Sequence, residues 1–195
     1  DEGNPFGGSE AIGACVGLRS ESPAVVYGVD LAKSVDWTWV IGLDAAGRWT
    51  LSERWQSPWG ETIDRINRIT RGAPIVVDST GVGDAPTEEL QRGRGATTGF
   101  KFSSSSKQQI MERLAVVIQR REITIPAGAL VAELESYEYQ YTRTGVRYDC
   151  PSGMHDDGVC ALALAVHGMV GQVMPITPAS FAFPSRIKIE AAPWD

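Results

Sequence analysis

No stretch of this 195-residue chain stays apolar for the roughly 20 residues a membrane helix needs, and none reads as a secretory leader; no membrane partner is expected. Cysteine is scarce. Cys15, Cys150 and Cys160 are an odd number at no zinc-like spacing, which excludes a disulfide framework and suits a reducing compartment. A zinc site built from Cys150, His155 and Cys160 would lack a fourth ligand and would place Cys160 inside an apolar run. Positive charge is also short. The formal net charge of -6 argues against a protein that clings to nucleic acid by bulk charge, because non-specific affinity comes from neutralised phosphates. A nuclease is still allowed, since acids that hold metal ions count as negative in that sum. Internal repeats are absent, and the only low-complexity stretch is the four serines at 103–106.

What is present is an ordinary globular composition, 43% hydrophobic and 22% charged, in a chain long enough to bury a core without staples. The first residue is Asp1 rather than methionine, so a fragment of a longer protein is expected. Residues 1–23 read as a linker or the edge of a missing neighbour, 24–174 as one domain and 175–195 as a tail.

Periodicity predicts three strands in "AVVYGVD" (24–30), "DWTWVIGLD" (36–44) and "WTLSERWQ" (49–56), the last two joined by the turn "AAGR". Ile63, Ile66 and Ile69 mark a helix stopped by Gly72, and "APIVVD" is a buried strand entering the glycine-rich turn "STGVGD". A short helix "APTEELQRG", a strand "TTGFKF" and a serine-capped helix follow, in which Ser105 with Gln108 and Ser106 with Gln109 fit a capping box. "EITIP" reads as a short strand. A further helix, a hairpin turning near "RTG" and a last helix over "DDGVCALALAVHG" complete the order. A three-strand meander followed by alternating strands and helices implies an α/β fold, a mixed sheet with helices on both faces.

Acids end or open apolar runs at three places: Asp30, Asp78 and the pair Asp156 and Asp157. A carboxylate at the edge of a buried segment is costly unless paired, hydrogen-bonded or bound to metal. Taken singly, Asp30 and Asp78 are ordinary turn formers, and Asp156 is an ordinary N-cap. Ligand sites of open α/β sheets form at the carboxyl ends of neighbouring parallel strands, so Asp30 and Asp78 would face each other with Asp157 added from a covering helix. Such an all-oxygen set suits two divalent metal ions, Mg2+ or Mn2+, roughly 3.5 to 4 Å apart, as used in phosphodiester cleavage.

"YGVDLAKSVDWT", "IVVDSTGVGDAPTEEL", "FSSSSKQQIMERLAVVIQRREITIP" and "HDDGVCALALA", in that order, resemble the C-terminal nuclease domain of the large terminase subunit of tailed bacteriophages. The likeness spans roughly residues 24–170. It implies a ribonuclease H-like fold with a five-to-six-stranded mixed sheet and a β-hairpin, and an endonuclease that cuts concatemeric viral DNA. It assigns Asp30, Asp78 and Asp157 as metal-binding catalytic acids, Asp156 as an auxiliary ligand and Asp36 as an outer one. Family partners would be double-stranded DNA, an N-terminal packaging ATPase domain, the portal and the small terminase subunit, in the host cytoplasm. No G-x-x-x-x-G-K-[ST] phosphate loop occurs in this chain, and the isolated piece is expected to be a monomer.

Supporting roles fall to Lys107, His155, Asp84 and Thr80. Lys107 sits in the first turn of its helix, where the macrodipole disfavours a cation, so a nearby acid cluster or a phosphate would explain it. His155 could orient a carboxylate or move a proton. Arg143, Arg147 and Tyr141 on the hairpin, with Lys33, are candidate DNA contacts. Other classes stay open: an actin-like or sugar-kinase ATPase half, a Holliday-junction resolvase or transposase core, or an inactive scaffold.

Overall fold

The computed structural model describes residues 3–31, 37–80, 84–93, 96–142, 145–151 and 155–173. From the first strand onward the order of elements matches expectation except at "EITIP", and a helix within the expected linker was not foreseen. Among the described residues seven strands and six helices form. They are α1 (Gly8–Ala14), β1 (Val26–Asp30), β2 (Thr38–Leu43), β3 (Trp49–Trp55), α2 (Trp59–Thr70), β4 (Ile75–Asp78) and α3 (Asp84–Gly93). Then come β5 (Thr97–Phe100), α4 (Ser104–Gln119), α5 (Ala129–Ser136), β6 (Glu138–Thr142), β7 (Gly145–Asp149) and α6 (Asp157–Val173).

The main sheet has five strands in the order β3-β2-β1-β4-β5, and β6 with β7 makes a separate hairpin. Strands β1, β2 and β3 pair antiparallel; β1, β4 and β5 pair parallel. Side chains alternate across the sheet because the strand period is two. Val26, Trp39, Ile41, Leu43 and Val76 face a core built with α1, α4, α5 and α6. Val29, Val40, Ile75 and Val77 face the opposite way, onto Ile63 and Ile66 of α2 and Leu90 of α3. Helices on both faces of a mixed sheet are what the ribonuclease H-like expectation requires.

Two local expectations are corrected. "EITIP" adds no sixth strand: Ile125 makes one isolated parallel bridge to Val16. The cap of α4 is Ser103, whose Oγ accepts from the Ser106 amide while the Ser106 hydroxyl accepts from the Ser103 amide. The box thus closes two residues before the first of the two predicted, because Ser106 can play the part usually given to Glu or Gln. Within 1–23, Phe6, Ile12 and Cys15 are buried in the α6-side core, so that part of the segment packs on the domain.

Helix α6 lies against β1 with very little clearance. A Cβ on Gly28 would fall 1.9 Å from the Ala161 carbonyl oxygen and 2.5 Å from the Ala165 amide. A Cβ on Gly168 would meet Val26 at 2.6 Å and Val76 at 2.7 Å. Val159 through Val166 are all buried, which explains why the run carries no polar face.

Candidate active site

Strands β1 and β4 run parallel with Val29 opposite Val77, which puts Asp30 and Asp78 side by side at their carboxyl ends. Asp30 is two residues beyond Gly28 and Asp78 two beyond Val76, so both carboxylates project to the face that α6 covers. The first residue of α6 is Asp157. Trp39, paired with Asp30 across β1 and β2, also packs at the start of α6, where a Cβ on Gly158 would come within 2.8 Å of its ring.

These acids act on one another electrostatically. The Asp30 carboxyl is held well above the ordinary carboxylate range, first by burial and then by the negative charges of Asp78, Asp157 and Asp156, with Lys107 opposing. Asp30 keeps an opening to solvent, yet protein crowds its carboxyl enough for burial to lead. Asp78 is oriented by a tight turn in which the Thr80 amide donates to its Oδ1 at 2.7 Å. The Thr80 hydroxyl in turn accepts from the Phe102 amide at 2.7 Å, tying that turn to the strand-to-helix loop after β5. Thr80 therefore orients Asp78 through its amide and Phe102 through its hydroxyl. His155 is mostly exposed, and its Nδ1 lies 3.9 Å from Asp157 Oδ2, near enough to bias that carboxylate when protonated.

The acid cluster expected around Lys107 is present. Its Nζ is 2.9 Å from Asp156 Oδ2 and 3.9 Å from Asp149 Oδ1. Burial works against the ammonium, but Cys160, Asp156 and Asp149 together more than offset it, and the Lys107 pKa is raised. Asp149 also receives Arg147, whose Nη2 is 2.6 Å from its Oδ2. The lysine thereby joins the hairpin to the head of α6.

Asp156 precedes α6 in the N-cap position, yet its carboxylate is turned to Lys107. The cap comes instead from Glu133 of α5, whose Oε2 accepts from the Gly158 amide at 2.8 Å and the Val159 amide at 3.3 Å. Burial pushes the Glu133 carboxyl up to about 7, against those two hydrogen bonds and with help from Asp157 and Asp156.

Asp149, Cys150 and Asp156 also bring one ligand atom each within 4.8 Å of one another. We favour the Asp30 set over this one as the metal centre, on two physical grounds. Lys107 and Arg147 already pair with Asp156 and Asp149, and burial pushes the Cys150 thiol up to about 11, away from the thiolate a metal requires. Beside this cluster opens a cleft of about 780 Å3, lined by Ser103, Ser105, Lys107, Arg147 and Tyr148.

Asp36, Lys33 and Arg143 lie outside the described residues, as do the side chains of Asp84 and Tyr141. Sequence reasoning did not single out Glu133 or Asp149. Asp149 ends a strand, as Asp30 and Asp78 do, but that strand is a polar hairpin and not an apolar run. Nothing in "ALVAELES" distinguishes Glu133 from Glu135, because only the docking of α5 against α6 separates them.

No protein-family model matches the chain. The terminase large subunit of Thermus phage G20c is 31% identical over 166 residues, covering 80% of this chain and 34% of that protein. The chain thus spans only about a third of the length of the curated relatives it matches. Among solved structures, the large terminase nuclease from thermophilic phage G20c with bound magnesium superposes with a TM-score of 0.73 at 25% identity, over 86% of this chain and 98% of that one. The large terminase nuclease domain of bacteriophage SPP1 with bound Mn gives a TM-score of 0.52 at 16% identity, over 78% and 93%, a likeness of fold.

Proposed function

Since the chain belongs to the nuclease domains of bacteriophage large terminase subunits, we propose that it is a metal-dependent endonuclease cutting concatemeric viral DNA during genome packaging. The observation that carries this reading is the convergence of Asp30, Asp78 and Asp157 at one sheet edge, with Asp30 held protonatable by the others. Crowded carboxylates without a cation repel one another, so the arrangement asks for positive charge.

The donor set is carboxylate oxygen throughout, which fits Mg2+ or Mn2+ and not a soft metal. Relatives hold magnesium and manganese. Asp30, Asp78 and Asp157 would hold two such ions, with Asp156 auxiliary and Asp36 outer. When bound, divalent ions supply Lewis acidity for hydrolysis of the phosphodiester. The protein's own part is to keep the carboxylates aligned: the parallel β1–β4 register sets Asp30 against Asp78, the Thr80 amide turns Asp78, and α6 delivers Asp157. Lys107 pairs with Asp156 and Asp149 and partly offsets the negative charge that raises Asp30. His155 is placed to take or give a proton beside Asp157.

The cleft between the head of α4 and β7 is our candidate path for a DNA strand. Arg147 offers a phosphate contact and Tyr148 a stacking face, while the serines offer hydroxyl donors. A net charge of -6 makes this a weak grip, consistent with a module to which a packaging ATPase, portal and small terminase subunit bring DNA. An actin-like ATPase half is disfavoured because it gives no work to the acids of α6.

The test is plasmid cleavage by this chain at low salt with Mn2+, Mg2+, Ca2+ or EDTA, alongside Asp30→Asn. Nicked and linear products with Mn2+ or Mg2+, suppressed by EDTA and by the variant, are expected. Intact plasmid throughout, or cleavage by Asp30→Asn at the wild-type rate, would overturn the assignment.

A further inference from the structure

We propose that Glu133 is a positioning residue for the metal-binding acids, holding the head of α6 so that Asp157 meets Asp30 and Asp78. The inference rests on the nuclease reading above. Its basis is a division of labour visible in the hydrogen bonds. A helix begins with backbone amides that have no partner inside the helix, and the N-cap side chain normally accepts from one of the next two or three. In α6 the N-cap position belongs to Asp156, and an aspartate there would ordinarily fold back on those amides. Asp156 instead reaches Lys107 at 2.9 Å.

Glu133 takes over the amides of Gly158 and Val159, the two residues directly after Asp157. The acceptor comes from a different helix, 25 residues earlier in the chain, so the contact fixes α6 against α5 and not merely against itself. Residue 158 has to be glycine for this approach, because a Cβ there would lie 2.8 Å from Glu133 Oε2 and 2.8 Å from Trp39. Trp39 is the cross-strand partner of Asp30. The same glycine therefore permits contact of the helix head with its cap on one side and with the neighbour of Asp30 on the other. With Glu133 as cap, the amides of the two residues after Asp157 are satisfied from α5.

Supporting groups of this kind set metal affinity by orienting the ligands, and their loss commonly costs about 10- to 100-fold. The experiment measures Mn2+ binding to the intact chain without DNA, from the loss of the free-ion electron paramagnetic resonance signal, beside thermal melting. Variants are Glu133→Ala, Glu133→Gln and Glu133→Asp, with Glu135→Ala as a control on the same helix. Glu133→Gln keeps an oxygen acceptor and is expected to bind Mn2+ within about threefold of wild type. Glu133→Ala is expected to weaken binding by about tenfold or more. Glu133→Asp, one methylene too short, reports the same loss if the alanine variant does not fold.

Wild-type affinity in Glu133→Ala, with only a lower melting temperature, would reduce Glu133 to a helix cap and overturn the proposal. Equal losses in Glu133→Gln and Glu133→Ala would overturn it too, because charge and not the held helix end would then set affinity. Failure of wild type to bind Mn2+ is a separate result, which would remove the metal-site reading and this inference with it.

Discussion

Two aspartates lie at opposite ends of the same pair of strands, β1 and β2, and the protein treats them in opposite ways. Asp44, just past the end of β2, is 1% exposed, and its carboxylate accepts four hydrogen bonds. Ser20 Oγ donates to it at 2.6 Å, the amides of Ala46 and Arg48 at 2.9 Å, and Arg48 Nε at 3.1 Å. Burial opposes the charge of Asp44, but these donors overcome it and hold the carboxyl below its ordinary range. Asp30, at the other end, faces Asp78, Asp157 and Asp156, and its carboxyl is driven up. A buried acid surrounded by donors serves the fold. A crowded acid surrounded by acids is suited to a bound cation.

Exchanging their fates gives the largest expected effect. Asp30→Asn should lower metal-dependent plasmid cleavage by on the order of a thousandfold, with an unchanged or raised melting temperature. Asp44→Asn should leave the cleavage rate within about twofold and cost about 2 kcal/mol of stability, seen as a melting temperature lower by several degrees. Loss of activity in Asp44→Asn at temperatures where it is fully folded would mean the two ends are not independent.

Next in size is Gly28→Ala. The added methyl has nowhere to go against the Ala161 carbonyl, so α6 must shift off β1. A stability loss of about 3 kcal/mol in denaturant melts is expected, along with loss of cleavage, because Asp157 moves with the helix. A fully active Gly28→Ala protein would contradict the tight seating of α6 on β1.

The contrast also predicts opposite pH responses in EDTA. The depressed Asp44 carboxyl stabilises the fold fully above the ordinary aspartate range and loses that contribution as pH falls through its folded value. The raised Asp30 carboxyl binds its proton more tightly in the folded state, so stability falls as pH rises from the ordinary range through its folded value. The melting temperature of Asp30→Asn should therefore gain on wild type as pH rises from about 4 to 8, while the deficit of Asp44→Asn stays level there and shrinks only below about pH 4. A pH-independent offset for Asp30→Asn would show that its acid neighbours do not couple to it.

The smallest effect is expected at the exposed rim. Arg147→Ala should weaken DNA binding slightly and reduce the salt slope by about one, without altering Mn2+ affinity. An unchanged slope would move the DNA path away from the hairpin.

Much of this was legible in the residues. Period-two runs marked the strands of the sheet, and period-3.6 isoleucines marked α2, because one buried face dictates one spacing. "EITIP" had the composition of a strand but found only Val16 to pair with, which propensity cannot foresee. Asp30, Asp78 and the Asp156–Asp157 pair stood out because carboxylates are conspicuous at the ends of apolar runs. Glu133 and Asp149 did not, since each looks like an ordinary surface acid until its helix or hairpin is docked.

By itself, then, the sequence determined most of the order of elements from β1 onward, the covered mixed sheet and the acids that end apolar runs, all of them consequences of local spacing and of the cost of burying charge. Only the tertiary structure decided that Glu133 caps α6, that Lys107 draws Asp156 away from that cap, and that Asp30 is crowded by the other acids. Those outcomes depend on distances between chain segments far apart in sequence, and no local rule fixes such distances.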